Sequence, residues 1–257
     1  RQRWLCRGPQ DNLTTLAINH AGARVAGYAK GGDVWIWATP PSSSSSATLG
    51  VATAPLHRRI QCPALRIFAF AFSPDDALLA GGSNAGIYLW RVESGELVRI
   101  LPGQTLDNVS LAFSPDGKLL ASGNIDHTVA LWSVATGELR HLLRNHHGTI
   151  YALAFSPDGK LLASASGDHR VSLWEVQTGK LLHTYIGHQS RVFAVAFHPN
   201  GQQIASGSFD GVVKYWDVQN GACVETFYAK GPYAGMNITG VTGISEAQKA
   251  ALRALGA

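Results

Sequence analysis

FSPDGKLLAS, Phe113 to Ser122, occurs again letter for letter at Phe155 to Ser164. Active sites are rarely duplicated within one domain, whereas structural units often are, so the stretch points to a repeat array before it points to a catalyst. Aligned on it, Phe72, Phe113, Phe155 and Phe197 stand 41, 42 and 42 residues apart, and Trp90, Trp132, Trp174 and Trp216 follow at intervals of 42. Ile18 and Trp37, separated by the same 19 residues as Phe155 and Trp174, mark a fifth and more diverged copy.

A period near 42 with several strand-like segments per copy predicts an all-β propeller built of short four-stranded antiparallel blades. Val192 to Phe197 is a continuous apolar run of strand length, as expected of an inner strand covered on both faces. Its alternation puts Phe193, Val195 and Phe197 on one face and the small Ala194 and Ala196 on the other, so large is expected to pack against small between neighbours. Ser156-Pro157-Asp158-Gly159 is a turn in which Pro presets φ and Gly leaves the corner. Leu161 to Ser166 reads as the second strand, Gly167 to Arg170 as a turn, Val171 to Trp174 as the third strand and Leu181 to Ile186 as the outer strand.

Gly187-His188, Ser206, Asp210 and Trp216-Asp217 stand at signature positions of the WD-repeat family, which the chain resembles over residues 11 to 229 and most strongly from 66 onward. The resemblance implies a hydrogen-bonded set of His, Ser, Asp and Trp within a blade. His188, Ser206, Asp210 and Trp216 match it in full, and so do His146, Ser164, Asp168 and Trp174, with Asn145 in place of the usual Gly. The copy before them keeps Ser122 and Asp126 but has Gln104 where His is expected. Before Trp90 only Asn84 stands near the Asp position, and before Trp37 the set is lost except for the Trp, with Asp33 displaced by two. Five clear copies either make the whole disc or belong to a larger one, since seven blades are usual in the family.

Composition narrows the function. The net charge is +4, but the basic residues are spread along the chain and the nearest cluster is His57-Arg58-Arg59, so no nucleic-acid partner is expected. The three cysteines, Cys6, Cys62 and Cys223, are too far apart for a C-x-x-C pattern, which suits a reducing, cytoplasmic setting. No apolar run approaches a membrane span, so no membrane partner is expected. His141, His146 and His147 lie close together without a Cys or carboxylate to complete a metal set, and no cofactor is expected. Asp75, Asp116 and Asp158 recur once per copy at turn corners, where backbone chemistry explains them. His188, Ser206 and Asp210 have the residue types of a nucleophilic triad, but the set recurs in the preceding copy, which favours a structural network; the chain reads as no enzyme.

Two segments interrupt the pattern. Trp37 and Trp90 are 53 residues apart, and between them a Ser-rich insertion at 39–55 contains five serines, Ser42 to Ser46, expected as a flexible surface loop. Residues 1–10, with Trp4, are taken as the remnant of a preceding blade, and 11–230 as the propeller. Residues 231–257 form a tail in which Ser245 and Gln248 make a capping box, predicting a short helix at 245–255. The tail is similar to that of cyanobacterial multi-repeat proteins, including some whose repeats follow a signalling NTPase module.

The functional expectation is a non-catalytic interaction scaffold or ligand-sensing module that binds a protein or peptide through the top rim of the disc. The alternative is the C-terminal regulatory part of a larger signalling NTPase, with the catalytic module upstream. By resemblance, the rim is lined by a residue early in each inner strand, four before its Phe, assigned as Thr14, Phe68, Ser110, Tyr151 and Phe193. The residue before each turn Asp adds Ile125, Gly167 and Phe209, and Arg191 stands beside them. Aromatic and Arg residues on such a rim are what binding hot spots are made of.

Overall fold

The computed structural model describes residues 4–6, 13–29, 32–38, 52–54, 56–64, 66–102 and 107–228. These are strands and turns, with no helix among them, and they form five four-stranded antiparallel sheets that follow one another along the chain. The predicted helix at 245–255, the tail from 231, Gln104 and Ser42 to Ser46 lie outside the described residues. Each sheet runs in order from an inner to an outer strand. In the fourth these are Ile150–Phe155, Leu161–Ser166, Arg170–Glu175 and Leu181–Ile186. Beside the five blades, Trp4–Cys6 pairs in parallel with Ala52–Ala54 at the end of the insertion.

The predicted turn chemistry is seen in full. Gly159 N donates to Ser156 O at 2.9 Å, while Ser156 Oγ and the Lys160 N–H both donate to Asp158 Oδ1, at 2.7 and 3.1 Å. Ser114 and Asp116 repeat the arrangement. The hydroxyl bond above all, with the backbone N–H behind it, holds the carboxyls of Asp116 and Asp158 below the usual carboxylate range. The turn therefore closes through its own side chains, and the Asp is a backbone device.

Between blades, the inner strand of one packs on the strands of the one before, but Phe193 does not share the packed face of Val195 and Phe197 that the alternation predicts, because the pairing shifts between Val192 and Ala194, and the facing residues are both large and small. Val195 and Phe197 of the fifth blade pack with Ala163, Ala165, Val171, Leu173 and Tyr185 of the fourth, and Trp216 closes the same cluster. One blade earlier, Leu153, Phe155, Leu162 and Trp174 pack with Ala121, Val129, Leu131 and Leu143. Outer strands add a recurring polar tie to the next blade. Arg58 Nη2 donates to Glu93 O at 2.6 Å, Arg99 Nη1 to Thr136 O at 2.9 Å, and His141 Nε2 and His183 Nε2 lie 3.0 and 3.3 Å from Gln177 O and Gln219 O. The outward face of the fifth blade has no such cover among the described residues. Val213 and Phe227 are 40% and 46% exposed there, where their counterparts Val171 and Tyr185 are 1% and 2%.

The junction between the first two blades uses a different device. Asp76 occupies the left-handed corner (φ 58°) that Gly117, Gly159 and Gly201 fill in the later copies. Its carboxylate accepts from Asn19 Nδ2 at 2.8 Å and from the backbone N–H of His20 and Ala21 at 2.9 and 3.1 Å. The residue that stands in place of the turn glycine is thus a cross-blade clamp.

Candidate interaction surface on the loop rim

In each blade, the loop from an outer strand to the next inner strand lies at the same rim as the turn between second and third strands. Both complete His-Ser-Asp-Trp sets sit just beneath this rim. His146 Nδ1 is 2.9 Å from Asp168 Oδ2, its Nε2 is 2.8 Å from Ser164 Oγ, and Trp174 Nε1 donates to the same hydroxyl at 2.8 Å. His188, Asp210, Ser206 and Trp216 repeat it at 3.1, 2.8 and 2.7 Å. A neutral imidazole with its proton on Nδ1 satisfies every group: it donates to the carboxylate and accepts from the serine, which accepts from the indole. Burial would raise the Asp168 carboxyl, but hydrogen bonds from His146, the His147 N–H and the Arg170 N–H outweigh it and hold it at about 2.

The same geometry answers the triad resemblance. Ser164 and Ser206 are 0% and 1% exposed, with the oxygen held between an indole and an imidazole. A hydroxyl so enclosed offers no line of approach to a carbonyl, and its work is to tie the second strand to the third strand and to the loop that carries His. In the third blade, Trp132 Nε1 still reaches Ser122 Oγ at 3.1 Å, while Asp126 turns to the Thr128 hydroxyl at 2.6 Å. His141 is engaged with Gln177 O and His146 with its set, and no metal-type cluster of His, Cys, Asp and Glu occurs among the described residues.

Above these sets the inner strands share a feature that the sequence does not announce. Each pairs with its second strand through a bulge at its second residue, with register shifts at Leu13/Thr15, Ile67/Ala69, Asn108/Ser110, Ile150/Ala152 and Val192/Ala194. A bulge takes one side chain out of the strand's alternation and re-aims it. The bulged residues are Thr14, Phe68, Val109, Tyr151 and Phe193. The assignment of Ser110 is therefore corrected: it stands three residues before Phe113, past the bulge. It is buried and donates its hydroxyl to Ile150 O at 3.1 Å in the junction to the fourth blade, so Val109 holds the equivalent place.

The other rim residues are placed as follows. Tyr151 and Phe193 pack with ring centroids 4.7 Å apart and a 47° tilt, and Phe193 meets Phe209 edge-on at 6.2 Å. The run crosses from the fourth blade to the fifth and ends at the surface, with Phe193 43% and Phe209 77% exposed. Phe209 N donates to Arg191 O at 2.9 Å, which fixes the loop bearing Phe209 to the entrance of the inner strand. Phe68 is half-buried beneath the Arg66 guanidinium, 4.8 Å from its ring centroid, and Ile125 is half-buried with its N–H on Asp107 O. Thr14 turns its hydroxyl to Tyr28 O. The structure thus brings Tyr151, Arg191, Phe193 and Phe209 together and leaves Phe68 and Ile125 apart from them.

The family model described as WD domain, G-beta repeat matches residues 56–91, 95–133, 137–175 and 179–217, more than half of the chain. The chain belongs to the WD-repeat family. Each matched WD repeat begins with the outer strand of one blade and ends with the third strand of the next, as Leu56–Gln61 and Gly86–Arg91 show. Sequence repeat and sheet are thus offset by one strand, which makes every repeat a covalent bridge between blades. The five sheets fit the blades of a WD-type β-propeller; the first lies outside the matches except for its outer strand. WD repeats generally mediate protein–protein interaction and are typically non-catalytic. No curated protein matched the chain. Among the described residues no helix is long and apolar enough to cross a membrane.

Proposed function

We propose that this chain is an interaction scaffold that holds a protein partner on the loop rim, with Tyr151, Phe193, Phe209 and Arg191 as the contact. The observation that carries this reading is Phe209, a large apolar side chain 77% exposed on a short, backbone-tied turn and continued inward by two packed rings. A rigid exposed aromatic loses little freedom on binding and removes much apolar area from water, the properties of an interface anchor. The tetrads beneath hold the rim loops in place through Asp168 and Asp210, so the surface is preorganised.

The test is affinity purification from the source organism's lysate with wild type, Phe209→Ala and the double variant Phe193→Ala with Phe209→Ala, each also melted. A partner retained by wild type and lost from both variants, with a melting midpoint nearly unchanged for Phe209→Ala, supports the proposal. Equal retention by all three proteins, or a large drop in stability for Phe209→Ala alone, would show that the rings serve packing instead.

A further inference from the structure

We infer that copies of this chain associate head to tail, the first blade of one copy packing on the outward face of the fifth blade of another. Each junction inside the chain is made by two different surfaces. The following blade brings the first, fourth and sixth residues of its inner strand, and the preceding blade brings alternate residues of its third and outer strands. At the last junction Val192, Val195 and Phe197 pack in this way on Val171, Leu173 and Tyr185. The first of the three inner-strand places, held by Ile67, Asn108, Ile150 and Val192 in turn, is no more than 1% exposed at any of the four junctions.

One surface of each kind is left over at the two ends of the array. In the first blade the three inner-strand places are held by Leu13, Leu16 and Ile18, which are 38%, 58% and 67% exposed. In the fifth blade Val213, Tyr215 and Phe227 stand where Val171, Leu173 and Tyr185 stand in the fourth, and none of them is buried. The residues keep their kind: Leu16 and Ile18 take the places of Val195 and Phe197, Val213 repeats Val171, and Phe227 puts a ring where Tyr185 has one. Among the described residues no core cluster joins the first blade to the fifth, so the two surfaces do not cover each other within one chain.

Contiguous apolar surface of this kind is covered by association. The occupant that fits the fifth-blade face is the inner-strand face of a blade, since that is what covers the same face in each of the four preceding blades. Among the described residues the first blade carries the one such face that is left open, and a second copy supplies it. The polar tie of the internal junctions is not repeated, because Glu225 holds the place of His141 and His183. Contact between copies therefore rests on apolar burial and responds to concentration. It is also heterologous, so a copy that has used one surface still offers the other to a further copy.

The experiment is sedimentation velocity of the whole chain over a roughly hundredfold range of concentration, with Ile18→Glu, Val213→Glu and their equimolar mixture. Wild type is expected to sediment faster as concentration rises, and each variant alone to associate at least about tenfold more weakly, because Glu brings a charge into the apolar contact. The mixture is expected to recover a 1:1 dimer and to stop there: Ile18→Glu keeps the fifth-blade face, and Val213→Glu keeps the first-blade face that fits it. Ile18→Thr and Val213→Thr, which keep the β-branched shape, are run alongside and decide the matter if a Glu variant melts below wild type. A wild type that stays monomeric throughout, its ends closed on each other or reserved for a different protein, would overturn the inference. Undiminished association of either variant alone would do the same, since it would place the contact elsewhere, and so would a mixture that stays monomeric while both variants melt as wild type does.

Discussion

Asp168→Asn removes one charge and no volume, and its cost follows from three contacts. Oδ2 accepts from His146 Nδ1 at 2.9 Å and from His147 N at 3.0 Å, and Oδ1 accepts from Arg170 N at 3.0 Å. Both oxygens face only donors, so the Asn amide must turn its NH2 toward one of them. The least costly choice faces the exposed Arg170 N–H and keeps the carbonyl on the other two, which then lose their charge-assisted strength. Losing the Arg170 bond costs roughly 1.5–3 kcal/mol and weakening the other two about 0.5–2 kcal/mol each, so the loss comes to about 2.5–7 kcal/mol, nearer the lower end because the exposed Arg170 N–H regains water. For a domain of this size that is on the order of 5–20 °C in melting temperature.

The pH dependence carries a sign of its own. The folded carboxyl titrates at about 2, below its ordinary 3.8, so its contribution is full above pH 3.8 and lost as pH falls toward 2. Thermal denaturation of wild type and Asp168→Asn from pH 7 to pH 2.5 should show a constant gap down to about pH 4.5 that narrows below it. No gap at neutral pH, or one that widens on acidification, would refute the reasoning.

Tyr185→Phe tests the opposite case: the Tyr185 hydroxyl is buried with no hydrogen-bond partner among the described residues, so its removal should leave stability unchanged or raise it by about 1 kcal/mol, read from urea denaturation. Asp76→Gly restores the residue found at this corner in the three later copies, yet it should destabilise by about 1–2 kcal/mol, because the relief of a left-handed φ is smaller than the loss of a carboxylate accepting from Asn19, His20 and Ala21. Differential scanning calorimetry distinguishes this loss from the gain that the repeat pattern alone would suggest.

How much of this was legible in the sequence depends on whether a feature recurs. The second and outer strands of the fourth blade, Leu161 to Ser166 and Leu181 to Ile186, fall where the repeat put them, because each copy repeats the same apolar pattern and turn letters. The two complete His-Ser-Asp-Trp sets were legible through the resemblance to the WD-repeat family, which implies their hydrogen bonding. The inner-strand bulges were not, since a bulge is a shift in pairing that leaves no mark in composition; the rim position of the third copy, Val109 and not Ser110, follows already from counting four residues back from Phe113, and the bulge falls on it. The Asp76 clamp was hidden because its partner, Asn19, lies 57 residues away in the copy with the weakest pattern.

The most direct test of the rim account places a photo-crosslinking p-benzoylphenylalanine at position 209 in one sample and at position 138, on the opposite rim, in another, followed by irradiation in lysate. The account predicts a discrete partner adduct from position 209 and none from position 138; an adduct from position 138 alone would contradict it.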